Sequence, residues 1–164
     1  MCPTISARIS PLSLDSFIVA GAGAIVGTTL MTLFELPFYR RMGLTGIFEL
    51  HENQVLISRI RRRPVPTSTD FLGVLSLHYL NGFLAGLFFP IFALILSALT
   101  PHPPFPWAGV LYAVLLWILT LVPIHEPITG FSPFSHPLGR APLIISLAGH
   151  VIYGITLAIF LFSL

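Results

Sequence analysis

The chain has 164 residues, with 8 basic and 6 acidic side chains, 9% charged against 55% hydrophobic. A soluble domain carries roughly 25% charged residues, so a mean hydropathy of +0.91 excludes a small soluble globule, and so large an apolar content excludes disorder. The single cysteine, Cys2, excludes a disulfide scaffold and any cysteine-based zinc or iron–sulfur site.

Four apolar runs, 17–36, 71–99, 105–122 and 142–164, predict four transmembrane helices. Together they form one all-α polytopic domain over 1–164, a compact bundle with a short interfacial cytoplasmic segment. Residues 1–16 hold Arg8 and no separate short apolar core, so the first run reads as a retained span rather than a cleaved signal. Ser13 and Asp15 precede it as helix-capping residues. Span one is rich in small residues, with Gly23 and Gly27 in a G-x-x-x-G. Near its end stands Glu35, the one formal charge in any run, with Thr28 and Ala24 on the same stripe.

The connection 37–70 carries Arg40, Arg41, Arg59, Arg61, Arg62 and Arg63. Within it, 46–60 mixes apolar with polar residues and suits either a helix lying in the interface or a hairpin around Glu52–Asn53. The arginines set topology and attract anionic lipid; nucleic acid is not expected as a partner. Ser68, Thr69 and Asp70 then cap span two, which at about 1.5 Å per residue reaches roughly 43 Å against a bilayer core of about 30 Å. Pro90 offers no N–H to the carbonyl of Gly86 and predicts a bend there. Pro101, Pro103, Pro104 and Pro106 make a short, stiff turn into span three, with Trp107 and Tyr112 as interfacial anchors. Span three stops at Pro123, followed by His125 and Glu126 and a loop 123–141 containing Arg140. All arginines but Arg8 then fall on one side, which the positive-inside rule makes cytoplasmic, with both termini outside.

Spans two and four share a pattern. His78 is followed by Gly82 and Gly86, and His150 by Gly154 and Ala158, each set on one helix stripe, with the two imidazoles at similar depth. With Gly23 and Gly27, the glycines Gly82, Gly86 and Gly154 are candidate helix-packing positions. The combination of Gly23, Gly27, Met31 and Thr32 with His78, Gly82, Gly86, His150, Tyr153 and Gly154 resembles small uncharacterised four-span integral membrane proteins of bacteria and archaea. That resemblance covers the spans and implies no activity.

Three functions follow as expectations. The first is a non-catalytic accessory or scaffolding subunit of a larger membrane assembly or homo-oligomer, without a cofactor. It rests on the slight soluble mass and the glycine faces, with lipid and other membrane subunits or a second copy as partners. The second is a redox or metal protein. His78 and His150 would ligate a haem b, or Glu35, His78, His125, Glu126 and His150 would supply a transition-metal site. The third is a small transporter or a proton or ion pathway using Glu35 and the histidines. No complete motif of a soluble enzyme is present, and an enzyme is not the expectation.

Overall fold

A computed structural model describes residues 12–62, 70–100 and 105–163. Arg8, Arg63, Ser68, Thr69 and the prolines at 101, 103 and 104 lie outside them. The described chain is all helical: α1 Leu14–Met42, a 3-10 turn Leu44–Gly46, α2 Phe48–Ile60, α3 Phe71–Leu87, α4 Phe89–Leu99, α5 Phe105–Thr120, a π-helical turn Leu121–His125, α6 Glu126–Thr129 and α7 Ala141–Phe162. Four stretches are long and apolar enough to cross a membrane: Leu14–Met42, Phe71–Leu99, Pro106–Thr129 and Ala141–Phe162.

Local chemistry sets most of the ends. Ser13 caps α1 by accepting the Ser16 N–H at 3.2 Å, and Asp70 caps α3 by accepting that of Gly73 at 3.1 Å. Arg40 and Arg41 occupy the last turn of α1, where cations complement the exposed carbonyls. The second apolar stretch breaks at Phe88, with Pro90 at the start of α4, where the missing N–H ends the ladder of α3.

Two boundaries differ from the sequence reading. Helix α1 runs through Pro37 to Met42 rather than ending at residue 36. The third stretch continues past Pro123 to Thr129, because the slip to π-type bonding at Leu121–His125 absorbs the missing proline donor. The loop therefore begins at Gly130, which takes φ +78° and donates its N–H to the Glu126 carbonyl at 2.8 Å. Tyr112, expected as an interfacial anchor, is buried with its hydroxyl donating to the Ala85 carbonyl, whereas Trp107 is exposed.

Helix α1 lies between α3 and α7, and α7 packs in turn on α5. Small residues hold these contacts close. A Cβ at Gly21 would lie 2.8 Å from the Phe83 ring, one at Gly23 2.9 Å from Phe160 Cβ, and one at Gly27 3.0 Å from Tyr153. Gly82 abuts Thr28, Gly86 abuts Ala24, and Gly109 and Gly154 bring the α5 and α7 backbones into mutual contact. One apolar core gathers Ala24, Met31, Phe89, Tyr112, Tyr153, Leu157 and Ala158. A second, at the arginine-bearing end, gathers Leu44, Ile47, Leu50, Val74 and Ile145. Outward faces carry large apolar side chains on every long helix, among them Ile18, Leu72, Leu119 and Ile144.

Within segment 46–60, Phe48–Ile60 is α-helical. It docks beneath the bundle against α3, α6 and α7. Phe48, Leu50, His51, Asn53, Gln54, Val55 and Ser58 are buried, so both its apolar and much of its polar face are covered.

Candidate functional site

Docking α2 under the bundle encloses a half-open cavity of about 100 Å³. Periodicity explains which side chains reach it. Glu49, Glu52 and Asn53 stand at i, i+3 and i+4 of α2. His78, Asn81, Gly82 and Ala85 follow the same face of α3, Thr28 and Met31 that of α1, and His150 and Tyr153 that of α7. Leu116, Thr120 and Leu121 close the side formed by the third stretch. Asn81 is the exposed member of the lining and donates through Nδ2 to Asn53 Oδ1 at 3.2 Å. Tyr153, itself a lining residue, donates to the Gly82 carbonyl at 2.5 Å and Tyr112 to that of Ala85, tying α7 and α5 to α3.

Glu49 accepts from the Ser146 hydroxyl and lies 3.3 Å from His150 Nδ1, which is also 2.9 Å from the Ser146 carbonyl. Both neighbours of Nδ1 are oxygen acceptors, so that nitrogen carries a proton. Glu52 pairs with His125 Nδ1 at 2.8 Å. Burial pushes the Glu52 carboxyl above its usual range, the His125 hydrogen bond pulls it back, and the nearby Glu49 adds to the rise. Thr28 Oγ1, His78 Nε2 and Glu49 Oε2 are buried and have no hydrogen-bond partner.

A histidine–aromatic cluster sits behind α2. The Phe48 ring is 4.2 Å from that of His125 and 5.4 Å from that of His136. His51 lies 6.2 Å from His125 and 5.9 Å from Phe131. His51 is held down to about 4, first by burial and then by the neighbouring His125 and His136. His136 is lowered for the same reasons, burial first and then His125.

The five candidate metal ligands do not form one set. His78 and His150 share the cavity. Glu35, 1% exposed, lies at the α1–α7 contact, where a Cβ on Gly149 would be 2.7 Å from its Oε1, and neither of its oxygens has a partner. His125 turns to Glu52, and Glu126 is exposed. Among the described residues no group of three His, Cys, Asp or Glu side chains is arranged to hold a metal ion. For the haem expectation, the cavity beside the two imidazoles is smaller than the roughly 300–1000 Å³ of sites that enclose larger ligands. The arginines are partly engaged: Arg59 donates to the carbonyls of Pro127 and Ile128, at 3.3 and 2.6 Å, and Arg61 pairs with Asp70.

Sequence reasoning missed Glu49, Glu52, Asn53, Thr28 and Asn81 as parts of the site. The signal for the first three was present, since an i, i+3, i+4 polar triplet on an amphipathic segment points one way once that segment is helical.

Fold and site together define a helical protein with four apolar helices of membrane-crossing length and an acidic, histidine-containing cavity at its arginine-bearing end. The chain belongs to DUF6789, a family of unknown function, whose model matches residues 14–164. No curated protein and no solved structure matches it.

Proposed function

We propose that this is a four-span membrane protein that relays protons through the carboxylates and imidazoles around the cavity, with the arginine-bearing end in the cytoplasm and both termini outside. The observation that carries this reading is the convergence of Glu49, Glu52, His78 and His150 on one cavity, with buried Thr28 Oγ1, His78 Nε2 and Glu49 Oε2 lacking any protein partner. A buried polar atom without a partner costs roughly 1–3 kcal/mol, and ionisable groups within membrane helices mark proton and ion paths by default. A cavity of this size admits water, which would join these atoms into one hydrogen-bonded chain. Glu52 and His125 extend that chain toward the arginine-bearing end. On the other side the Tyr153 and Tyr112 bonds to α3 form the barrier, and the break at Phe88 gives the outer part of span two a place to pivot.

In sealed liposomes containing the purified protein and a pH-sensitive dye, an imposed potential drives proton uptake at least tenfold above empty vesicles. Glu49→Gln abolishes the excess. Equal rates with and without protein would sink the reading.

The accessory-subunit role drew on glycine faces free to meet a partner. Gly23, Gly27, Gly82, Gly86 and Gly154 all lie against residues of this chain, so that role keeps only the small soluble mass in its support. The relay is the better-supported reading.

A further inference from the structure

The cavity has a chemical character beyond that of a proton wire. Two carboxylates, Glu49 and Glu52, line it, and among the described residues no Arg or Lys does. The atoms left without partners there are a carboxylate oxygen of Glu49, the hydroxyl oxygen of Thr28 and a ring nitrogen of His78. Thr28 is 1% and His78 5% exposed, so bulk solvent does not satisfy them. The Glu49 oxygen accepts only, the Thr28 hydroxyl can accept, and the His78 nitrogen accepts when its proton is on Nδ1. With the His78 proton on Nδ1, an occupant that donates hydrogen bonds satisfies all three, and the carboxylates favour one that is positively charged. Imidazole nitrogen is a poor partner for hard cations, which prefer oxygen ligands; an N–H donor suits it. At about 100 Å³ the space takes an occupant of one or two heavy atoms with a few waters. Met31, Ala85 and Leu116 supply an apolar wall against which a methyl group can rest.

We infer that the cavity binds a small monovalent cation that donates hydrogen bonds, of the ammonium or methylammonium class, held by Glu49, Thr28 and His78. This deepens the proton-relay reading and rests on it: the relay would then carry the proton linked to movement of that cation.

The experiment is equilibrium dialysis of radiolabelled methylammonium against the full chain in nanodiscs, alongside the liposome proton-flux assay. Saturable binding near one per chain is expected, displaced by ammonium but not by equal concentrations of sodium or potassium. Thr28→Val, close in volume, and Glu49→Gln each weaken binding at least tenfold. Thr29→Val leaves it unchanged, because the Thr29 hydroxyl faces Tyr79 at 2.9 Å and does not line the cavity. Circular dichroism and gel filtration of each variant confirm that it is folded. Displacement by sodium or potassium as effective as by ammonium overturns the hydrogen-bond-donor assignment. Glu49-dependent proton flux with no methylammonium binding overturns the ligand and leaves the relay standing. Binding without flux supports the ligand and removes the relay, and the absence of both removes both.

Discussion

Single atoms decide how closely the helices meet. Gly109 and Gly154 face each other across the α5–α7 contact, and a Cβ on either would strike backbone of the other, which cannot rotate away as a side chain can. At Gly21 the obstacle is the edge of the Phe83 ring, the far end of a side chain that can shift. Gly109→Ala is therefore expected to cost about 1–3 kcal/mol, the range for overpacking a filled interior, and Gly21→Ala much less. Thermal melting of the two variants in the same detergent checks the order, and equal melting temperatures would show that α5 and α7 part more easily than their backbone contact implies. Residue scale is also where the sequence reading was least complete. It placed His78 and His150 on glycine-lined stripes, but a histidine's partner on another helix is not written in its own spacing. Ser146 and Glu49 beside His150 come from α7 and α2, more than ninety residues apart in the chain, and only packing brings them together.

At the scale of elements, α2 converts a helix bundle into a bundle with a site. The segment's mixed composition left helix and hairpin equally open, since apolar residues at 47, 48, 50, 55, 56, 57 and 60 fit neither period alone. The bundle decides, by offering α3, α6 and α7 as a surface for nearly all of its faces. The long apolar helices, in contrast, were legible because an apolar run of that length has few alternatives. Their ends were less so: Pro37 and Pro123 read as stops and are carried inside helical structure. Docking of α2 should depend on pH. His51 titrates near 6.5 when free and near 4 when docked, so the docked state binds fewer protons between those values. Its contribution is intact above pH 6.5 and is lost as the pH falls toward 4, and His136 acts in the same direction. Glu52, raised above 4.5 by burial, acts oppositely, its docked form gaining as the pH falls toward that value. The lowering at His51 by itself would weaken docking by about 1–2 kcal/mol between pH 7 and 5, a direction that His136 shares and Glu52 opposes. Amide hydrogen exchange of residues 48–60 at the two pH values measures this after correction for intrinsic rates. Protection that falls on acidification in the parent chain and falls less in His51→Gln supports the account, and an identical fall in both would refute it.

For the whole molecule, what matters is which face of the membrane each end of the bundle meets. Every described arginine lies at the end where α2 docks, and the outward faces of the four long stretches carry leucine, isoleucine and phenylalanine, with their exposed charges, Asp15, Arg40, Arg41 and Glu126, confined to the ends. Moving a charge to the middle of a bilayer costs at least about 2.5–3.5 kcal/mol per residue, so an even number of crossings with the arginines held on one side is the arrangement with least exposed charge. On the proposed reading, the positive-inside bias would make that side cytoplasmic. Cys2 is the chain's one cysteine, so Cys2→Ser gives a background in which a new thiol reports its own location. On that background Thr45→Cys and Ser135→Cys, both exposed at the arginine-bearing end, should react with a membrane-impermeant maleimide only after the cells are opened. Leu12→Cys and Thr100→Cys, exposed at the other end, should react in intact cells. Labelling of Thr45→Cys from outside would invert the molecule and place the cavity, with Glu49 and Glu52, next to the external medium. Labelling of Leu12→Cys and Thr100→Cys from opposite sides would mean that the first two stretches do not make a paired crossing, and a relay built on helices α1, α3 and α7 sharing one polar end could not operate.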